Sequence, residues 1–324
     1  MAQYSPLFAA FVTLLLTFIL MVSKAGKSIQ DIPNERSLHD TPVPRIGGIG
    51  MMAGVFTGWA VMVRDLSWWV VVPALLLVLV SLLDDVKGLP VKQRLLAHSV
   101  AAAILVVGSG LWAQNALLAL LIFFFAVWMT NLYNFMDGSD GLAGGMAFFG
   151  FTIFGFATLM HGDYVQAMMN FSVGAAAVGF LYYNFNPAKV FMGDAGSIGL
   201  GFLVAALGVL GWQNNVWPLW FPVLVFSPFI VDATVTLLKR GLRGAKVTEA
   251  HREHYYQRAI QMGVSHRDLA LIEYGIMLAV GVSALFALGR STELVVEICL
   301  VWAAIYAAIF LLIDSQWRQF QRRR

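Results

Sequence analysis

The sequence predicts an all-α integral membrane protein, a polytopic bundle of about eleven transmembrane helices in a single domain over residues 1–324. Three observations predict it. Apolar residues make up 59% of the chain and charged residues 12%, where a soluble domain carries roughly a quarter charged. The apolar residues fall in long runs. The basic residues fall almost entirely on alternate connections between those runs. A soluble fold of this size has no interior large enough for so much apolar surface, so lipid is the natural solvent. The composition excludes a disordered chain and a collagen repeat. The single cysteine, Cys299, excludes an internal disulfide and a Cys-based zinc site.

The runs lie at about 6–23, 46–63, 67–83, 95–112, 116–133, 142–160, 164–183, 197–212, 216–238, 269–289 and 292–313. Most reach the roughly 17 to 25 residues needed to cross ~30 Å of hydrocarbon. No Lys or Arg precedes the first run, and Lys24 follows it. That order is expected of a retained span with a periplasmic N-terminus rather than of a cleaved signal peptide. Alternation then puts Lys24, Lys27, Arg36 and Arg45 on the cytoplasmic side, followed by Lys87, Lys92, Arg94 and Lys189. Lys239, Arg240, Arg243, Lys246, Arg252, Arg258 and Arg267 join them, as do Arg318, Arg322, Arg323 and Arg324. Nineteen of the 21 basic residues are then inside, and Arg64 and Arg290 are left outside. This bias follows the positive-inside rule, and an odd number of spans puts the C-terminus in the cytoplasm. Trp68, Trp69, Trp212, Trp217 and Trp220 fall near the outer boundary, as an interfacial aromatic belt does. Residues 239–268 form the longest polar stretch. They are expected as a cytoplasmic loop carrying a short amphipathic helix.

Charge near lipid is costly, so carboxylates clustered at span ends are functional candidates. Asp84 and Asp85 close the third run. Asp137 and Asp140 follow the fifth, within Asn131-Leu-Tyr-Asn-Phe-Met-Asp-Gly-Ser-Asp-Gly141. Asp194 precedes the eighth, within Phe191-Met-Gly-Asp-Ala-Gly-Ser197. The plain reading of any one pair is a solvated helix end, and Asp194 suits an N-cap assisted by Ser197. Three clusters on one predicted face, two of them in Gly-rich turns, point instead to a shared site. Like charges gathered there repel, and a divalent cation offsets the repulsion. All-oxygen ligands suit Mg²⁺, with Mn²⁺ as the alternative. Mg²⁺ takes one or two protein carboxylates and completes its shell with water and substrate phosphates. The pattern therefore points to phosphoryl chemistry at a membrane surface.

Basic groups surround the acids. Arg36, His39 and Arg45 precede Gly47-Gly48, Lys87, Lys92 and Arg94 follow the Asp pair, and His251, Arg252, His254 and Arg258 lie in the last inner loop. The positive-inside rule accounts for most of the Lys and Arg but not for the two histidines. Spaced i, i+3, His251 and His254 share a face on a helix. Phosphate contact is the preferred role, since a zinc pair lacks a third soft ligand.

These segments resemble the polyprenyl-phosphate N-acetylhexosamine-1-phosphate transferase family. The likeness covers nearly the whole chain and is carried by Leu83-Asp-Asp-Val-Lys-Gly-Leu89, by Asn131–Ala143 and by Asn184-Phe-Asn-Pro-Ala-Lys-Val-Phe-Met-Gly-Asp-Ala-Gly-Ser197. It implies a single transmembrane catalytic domain that moves sugar-1-phosphate from a UDP-N-acetylhexosamine to undecaprenyl phosphate and releases UMP. It implies Asp194 as the metal ligand and Asp84 as the acid that deprotonates or positions the lipid phosphate, with Asp85 beside it. Asn134, Asp137 and Asp140 are implied to line the nucleotide pocket, with Asp140 and Phe191 near the uracil and Asn184 a further site position. Lys92 and Arg94, with Arg45, are implied to handle phosphates. Asp232 also matches a family pattern, and a structural role suits it equally. The setting implied is a bacterial inner membrane with the site on its cytoplasmic face. A homodimer is compatible with the family, and no nucleic acid is implied.

The last inner loop departs from the His-rich forms. It reads His251-Arg-Glu-His-Tyr-Tyr-Gln-Arg258, with Glu253 in place of one His and Arg252 adding a fixed charge. This version resembles the O-antigen-initiating branch, which accepts UDP-N-acetyl-6-deoxyhexoses (FucNAc or QuiNAc), and UDP-GlcNAc is the alternative donor. It speaks against the peptidoglycan enzyme, whose loop carries a triple His. A transporter is the rival class, but transporter sites are expected near the bilayer midplane on broken helices, and these acids cluster at one face.

Overall fold

The computed structural model describes residues 1–33, 38, 41–246 and 251–323; Arg36, His39 and Arg324 lie outside them. The chain folds into α1 (Ser5–Val22), α2 (Gly47–Ala60), α3 (Trp68–Lys87), α4 (Val91–Gly108), α5 (Ala116–Phe135), α6 (Leu142–His161) and α7 (Tyr164–Asn184). It continues through α8 (Asp194–Gln213), α9 (Trp220–Val225), α10 (Ser227–Leu242), α11 (Tyr255–Gln261), α12 (His266–Ala287) and α13 (Thr292–Arg322). Among the described residues the only sheet is a two-residue antiparallel pair, β1 (Gln30–Asp31) on β2 (Val43–Pro44). The protein is an all-α, multi-pass membrane protein.

All eleven apolar runs are helical, but among the described residues only nine helices are long and apolar enough to cross a bilayer unbroken. The two shortfalls have physical causes. α2 has 14 residues, about 21 Å at 1.5 Å per residue. The run expected at 216–238 divides at Phe226 into α9 and α10, with Pro222 and Pro228 on either side. Neither proline has an N–H to carry the helical ladder through. Phe226 instead inserts its ring beside Phe151 and Phe154, with centroids at 5.5 and 5.4 Å.

The shorter α2 still returns the chain across the bundle. α2 begins beside the start of α8, where Gly48 N donates to Met192 O at 2.7 Å. It ends beside the start of α1, where Ser5 Oγ donates to Gly58 O at 2.7 Å. The site-bearing ends of α3, α5, α7 and α8 are thereby gathered on one face of the bundle.

Helices in lipid associate through close packing of small residues rather than through expulsion of water. α1 buries Ser5, Ala9, Thr13 and Thr17, a stripe at i, i+4. α2 faces it with Gly50, Gly54 and Gly58. A Cβ at Gly50 would lie 2.2 Å from Thr17 Oγ1, and one at Gly54 2.1 Å from Thr13 Oγ1. The two stripes therefore lock α2 against α1 at a distance only glycine permits. α8 is buried along nearly its whole length among α2, α3 and α5. α13 is the opposite case and buries only Trp302 and Tyr306.

Candidate active site

Three helix ends converge on Asp194. α3 stops at Gly88, which adopts a left-handed conformation (φ 66°). Asp84, in the last turn of α3, is held at both oxygens. Leu89 N donates to its Oδ1 at 2.6 Å and Arg94 Nη1 to its Oδ2 at 3.2 Å. Asp85 faces the backbone amides of Asp194 and Ala195 at the start of α8. A helix N-terminus offers unbonded N–H groups and partial positive charge, so an acid aimed at it is stabilised. The Asp85 Oδ2 is buried and has no hydrogen-bond partner among the described residues. Asp194 is not the N-cap the sequence suggested. Gly193 (φ 71°) holds that position, and Asp194 is the first helical residue. Its carboxylate turns toward two arginines instead, while Ser197 Oγ donates to Asn134 Oδ1 at 3.0 Å and reaches back to Gly193 O at 3.2 Å.

Arg45 is placed by backbone pairing. Its N–H donates to Ile29 O at 2.9 Å, beside the β1–β2 pair. Phe191 N donates to Pro44 O at 2.8 Å, and Gly47 N donates to Phe191 O at 2.9 Å. This knits the segment before α2 to the Phe191–Gly193 approach of α8. Arg45 Nη2 then lies 3.1 Å from Asp194 Oδ1 and 3.5 Å from Asp85 Oδ1. Arg94 Nη1, from the first turn of α4, lies 3.2 Å from Asp84 Oδ2 and 3.6 Å from Asp194 Oδ2. Asp194 is thus bracketed by two guanidiniums. Asp137, just past α5, completes the group. Burial pushes its carboxyl well above the usual carboxylate range, Asp194 and Asp85 push the same way, and Arg45 opposes them. Lys92 is exposed on the first turn of α4 and makes no ion pair among the described residues.

The Gly-rich turn after α5 is braced from several sides. Asn184 Oδ1 accepts from Gly141 N at 3.0 Å, and its Nδ2 donates to Val190 O at 2.9 Å, so one amide joins both motif loops. Asp140 Oδ2 accepts from Asn186 Nδ2 at 2.8 Å and from Ala188 N at 3.0 Å. Tyr133, Tyr256 and Tyr274 donate through their hydroxyls to the carbonyls of Ala143, Phe135 and Gly141 at 2.8, 3.0 and 2.7 Å. Sequence reasoning missed all three tyrosines. A tyrosine in or near an apolar run is the only signal they give, and nothing local says which carbonyl it will meet.

The last inner loop forms a second group. His251 and His254 do not lie on a helix as their spacing suggested, because α11 begins only at Tyr255. Their rings still meet, with centroids 4.9 Å apart, and His254 stacks on Phe135 at 6.2 Å, which ties the loop to the end of α5. Burial pushes His251 down to about 4, with His254 and Arg240 acting in the same direction, so it is neutral near pH 7. Asp232 proves structural. Its two oxygens accept from Tyr255 N and Tyr256 N, each at 3.0 Å, and so cap α11 from the neighbouring helix α10. Glu253 pairs with Arg240 and, at 2.6 Å, with Arg243. Arg252 is exposed and makes no ion pair among the described residues.

Among the described residues, no three His, Cys, Asp or Glu side chains converge to hold an ion unaided. The carboxylates present nonetheless fit Mg²⁺, which needs only one or two of them. The unpartnered Asp85 Oδ2 beside the Asp194 carboxylate is the feature that fits.

Such a fold, with carboxylates and arginines gathered at one end of its bundle, suits a polytopic membrane enzyme that handles phosphates. Comparison with known proteins makes the class narrower. Residues 67–211 match glycosyl transferase family 4. The chain is 30% identical to the phospho-N-acetylmuramoyl-pentapeptide-transferase of Bacillus cytotoxicus, over 78% of this chain and 84% of that protein. It is 28% identical to a probable undecaprenyl-phosphate N-acetylglucosaminyl 1-phosphate transferase of Bacillus subtilis, over 97% and 94%. It is 26% identical to the undecaprenyl-phosphate alpha-N-acetylglucosaminyl 1-phosphate transferase of Yersinia pestis, over 95% and 92%. The chain belongs to the polyprenyl-phosphate N-acetylhexosamine-1-phosphate transferases of this family. It is a phosphoglycosyl transferase that moves sugar-1-phosphate from a nucleotide-sugar donor to a polyprenyl-phosphate acceptor in a membrane.

Proposed function

We propose that the donor is a UDP-N-acetylhexosamine, the acceptor undecaprenyl phosphate, and the site the cytoplasmic face of a bacterial inner membrane. The observation that carries this reading is Asp194 between Arg45 and Arg94, with Asp84, Asp85 and Asp137 around it. An oxygen of the acceptor phosphate bonds to the β-phosphorus of the donor. The bond from that phosphorus to the bridging oxygen breaks, and UMP leaves with the bridging oxygen. Both reactants are anionic, so their mutual repulsion is part of the barrier. Arg45 and Arg94 present forked donors that suit phosphate as well as carboxylate. Held in place by carboxylates, they orient the diphosphate and meet its developing charge without reorganising.

Asp194 and Asp85 would hold Mg²⁺ (Mn²⁺ as the alternative), which when bound supplies charge neutralisation at the diphosphate. Asp84, engaged at both oxygens, serves to orient Arg94 toward the acceptor phosphate. Asn134 and Asn184 position the two loops that flank the donor. The neutral His251 offers that donor a hydrogen bond rather than a charge.

For the sugar, a 6-deoxy-N-acetylhexosamine (FucNAc or QuiNAc) is the favoured reading, and initiation of O-antigen or a related surface glycan is the role that follows. The His251-Arg-Glu-His254 form of the loop supports it, with Glu253 withdrawn into ion pairs while the two imidazoles meet with their centroids 4.9 Å apart. UDP-GlcNAc is the second reading, supported by the names of the Bacillus subtilis and Yersinia pestis relatives, both N-acetylglucosaminyl 1-phosphate transferases. The test supplies purified protein with undecaprenyl phosphate, Mg²⁺ and UDP-FucNAc, UDP-QuiNAc or UDP-GlcNAc, and measures UMP and lipid-linked sugar. Release of UMP with the 6-deoxy donors at rates well above UDP-GlcNAc is expected. Preference for UDP-GlcNAc would replace the sugar assignment, and no UMP with any donor would sink the reading.

A further inference from the structure

A cleft opens between α10 and α13, away from the carboxylate group. Its deeper part is a cavity of about 430 Å³ lined by Val231, Val235, Ala303, Tyr306, Ala307 and Phe310, among others. The cause is local. Ala303 and Ala307 are spaced i, i+4 on α13, so their small side chains leave a trough opposite the two valines. The trough ends at Lys239 and Asp314, where it meets a second cavity of about 530 Å³ that these two residues also line. In this outer cavity cationic side chains outnumber acidic ones. Lys239, Arg243, Arg258 and Arg318 line it with only Glu253 and Asp314 as counter-charges. Arg318 spends its Nε on the Asp314 carbonyl at 3.2 Å and has no carboxylate partner among the described residues. Trp317 also lines it.

An apolar trough leading into a basic basin lined also by an aromatic ring, at the end of two helices of the bundle, has the polarity sequence of a phospholipid. Basic pockets between transmembrane helices bind anionic head groups in this way. We infer that the α10–α13 cleft binds an anionic phospholipid of the surrounding bilayer, an acyl chain along Val235 and Ala307 and its phosphate between Arg243 and Arg318. The wall of the cleft is also the support of the last inner loop. Asp314 accepts from Lys239 at 2.5 Å and from Arg258 at 2.9 Å, and Tyr255 stacks on Phe310 with centroids 3.8 Å apart. Those contacts hold the first turn of α11, which His251 and His254 precede. The bound lipid therefore steadies the loop.

The test uses the full chain purified in detergent, with phosphatidylglycerol and phosphatidylcholine as probes. Native mass spectrometry counts bound lipid, and thermal unfolding reports its effect. Phosphatidylglycerol is expected to bind at least about tenfold more tightly than phosphatidylcholine and to raise the unfolding midpoint. The double substitution Arg243→Glu with Arg318→Glu removes that preference. Ala307→Trp, which fills the trough and leaves every charge in place, abolishes binding of both lipids. Equal affinity for the two lipids would overturn the proposal, as would binding unchanged in both variants. Competitive displacement of phosphatidylglycerol by undecaprenyl phosphate would also overturn it, by making the cleft the acceptor's own.

Discussion

Arg45 and Asp194, 149 positions apart in the chain, meet at 3.1 Å, and the same guanidinium nitrogen lies 3.5 Å from Asp85. The contact joins the segment before α2 to the first turn of α8 and places a fixed positive charge among the acids. Arg45→Ala is expected to lower kcat by about 100-fold or more, the scale seen when a preorganised donor to developing charge is removed. Arg45→Lys keeps the charge but loses the fork, and falls between. UMP release at saturating substrates measures both, and a wild-type rate in Arg45→Ala would remove Arg45 from the site.

The two acids nearest the arginines should separate by experiment. Asp194→Asn is expected to abolish turnover and metal-dependent nucleotide binding together. Asp84→Asn is expected to lose turnover while donor binding persists, because Asp84 acts through Arg94 on the acceptor. Calorimetric titration with the UDP-sugar, with and without Mg²⁺, makes the comparison. Loss of donor binding in Asp84→Asn would move that residue to the donor side.

Gly48 and Gly196 bring the starts of α2 and α8 into backbone contact. A Cβ at Gly48 would lie 2.4 Å from Gly196 N and 2.6 Å from Met192 O, atoms that cannot swing aside. Gly48→Ala is expected to destabilise the protein by about 1–3 kcal/mol, the usual cost of overpacking, and to lower activity by moving Asp194. Thermal unfolding in detergent reads the first effect. An unchanged midpoint would show that the two helix starts are not in contact.

The depressed His251 gives a pH dependence with a definite sign. The folded protein protonates this imidazole only near pH 4, while an unfolded chain does so at about 6.5. Between those values the unfolded state binds more protons, so stability falls as pH drops from about 6.5 toward 4. His251→Gln removes that contribution. Its unfolding midpoint should decline less steeply than that of the wild type over the same window, and identical slopes would place His251 in water.

By itself the sequence determined that the chain lives in lipid and that its acids share one end of the bundle. Both follow from physics that acts residue by residue. Hydrocarbon demands apolar runs of a set length, and each crossing reverses the face, so Asp84, Asp137 and Asp194 were placed together before any packing was known. Distances along the chain carry no such rule for side chains, and there the tertiary structure decided. Only packing brought Arg45 onto Asp194, because that meeting depends on Gly48 lying against Gly196. Only packing made Asp232 the cap of α11, showed α10 beginning at a break held by Phe226, and set three tyrosine hydroxyls on the carbonyls near the Gly-rich turn. The spacing of His251 and His254 read as a helical face, whereas the rings meet in the non-helical residues before α11, with His254 against Asp232 and Phe135. Those contacts join segments far apart in the chain, and their geometry is set by how closely whole helices approach rather than by any local preference of the residues involved.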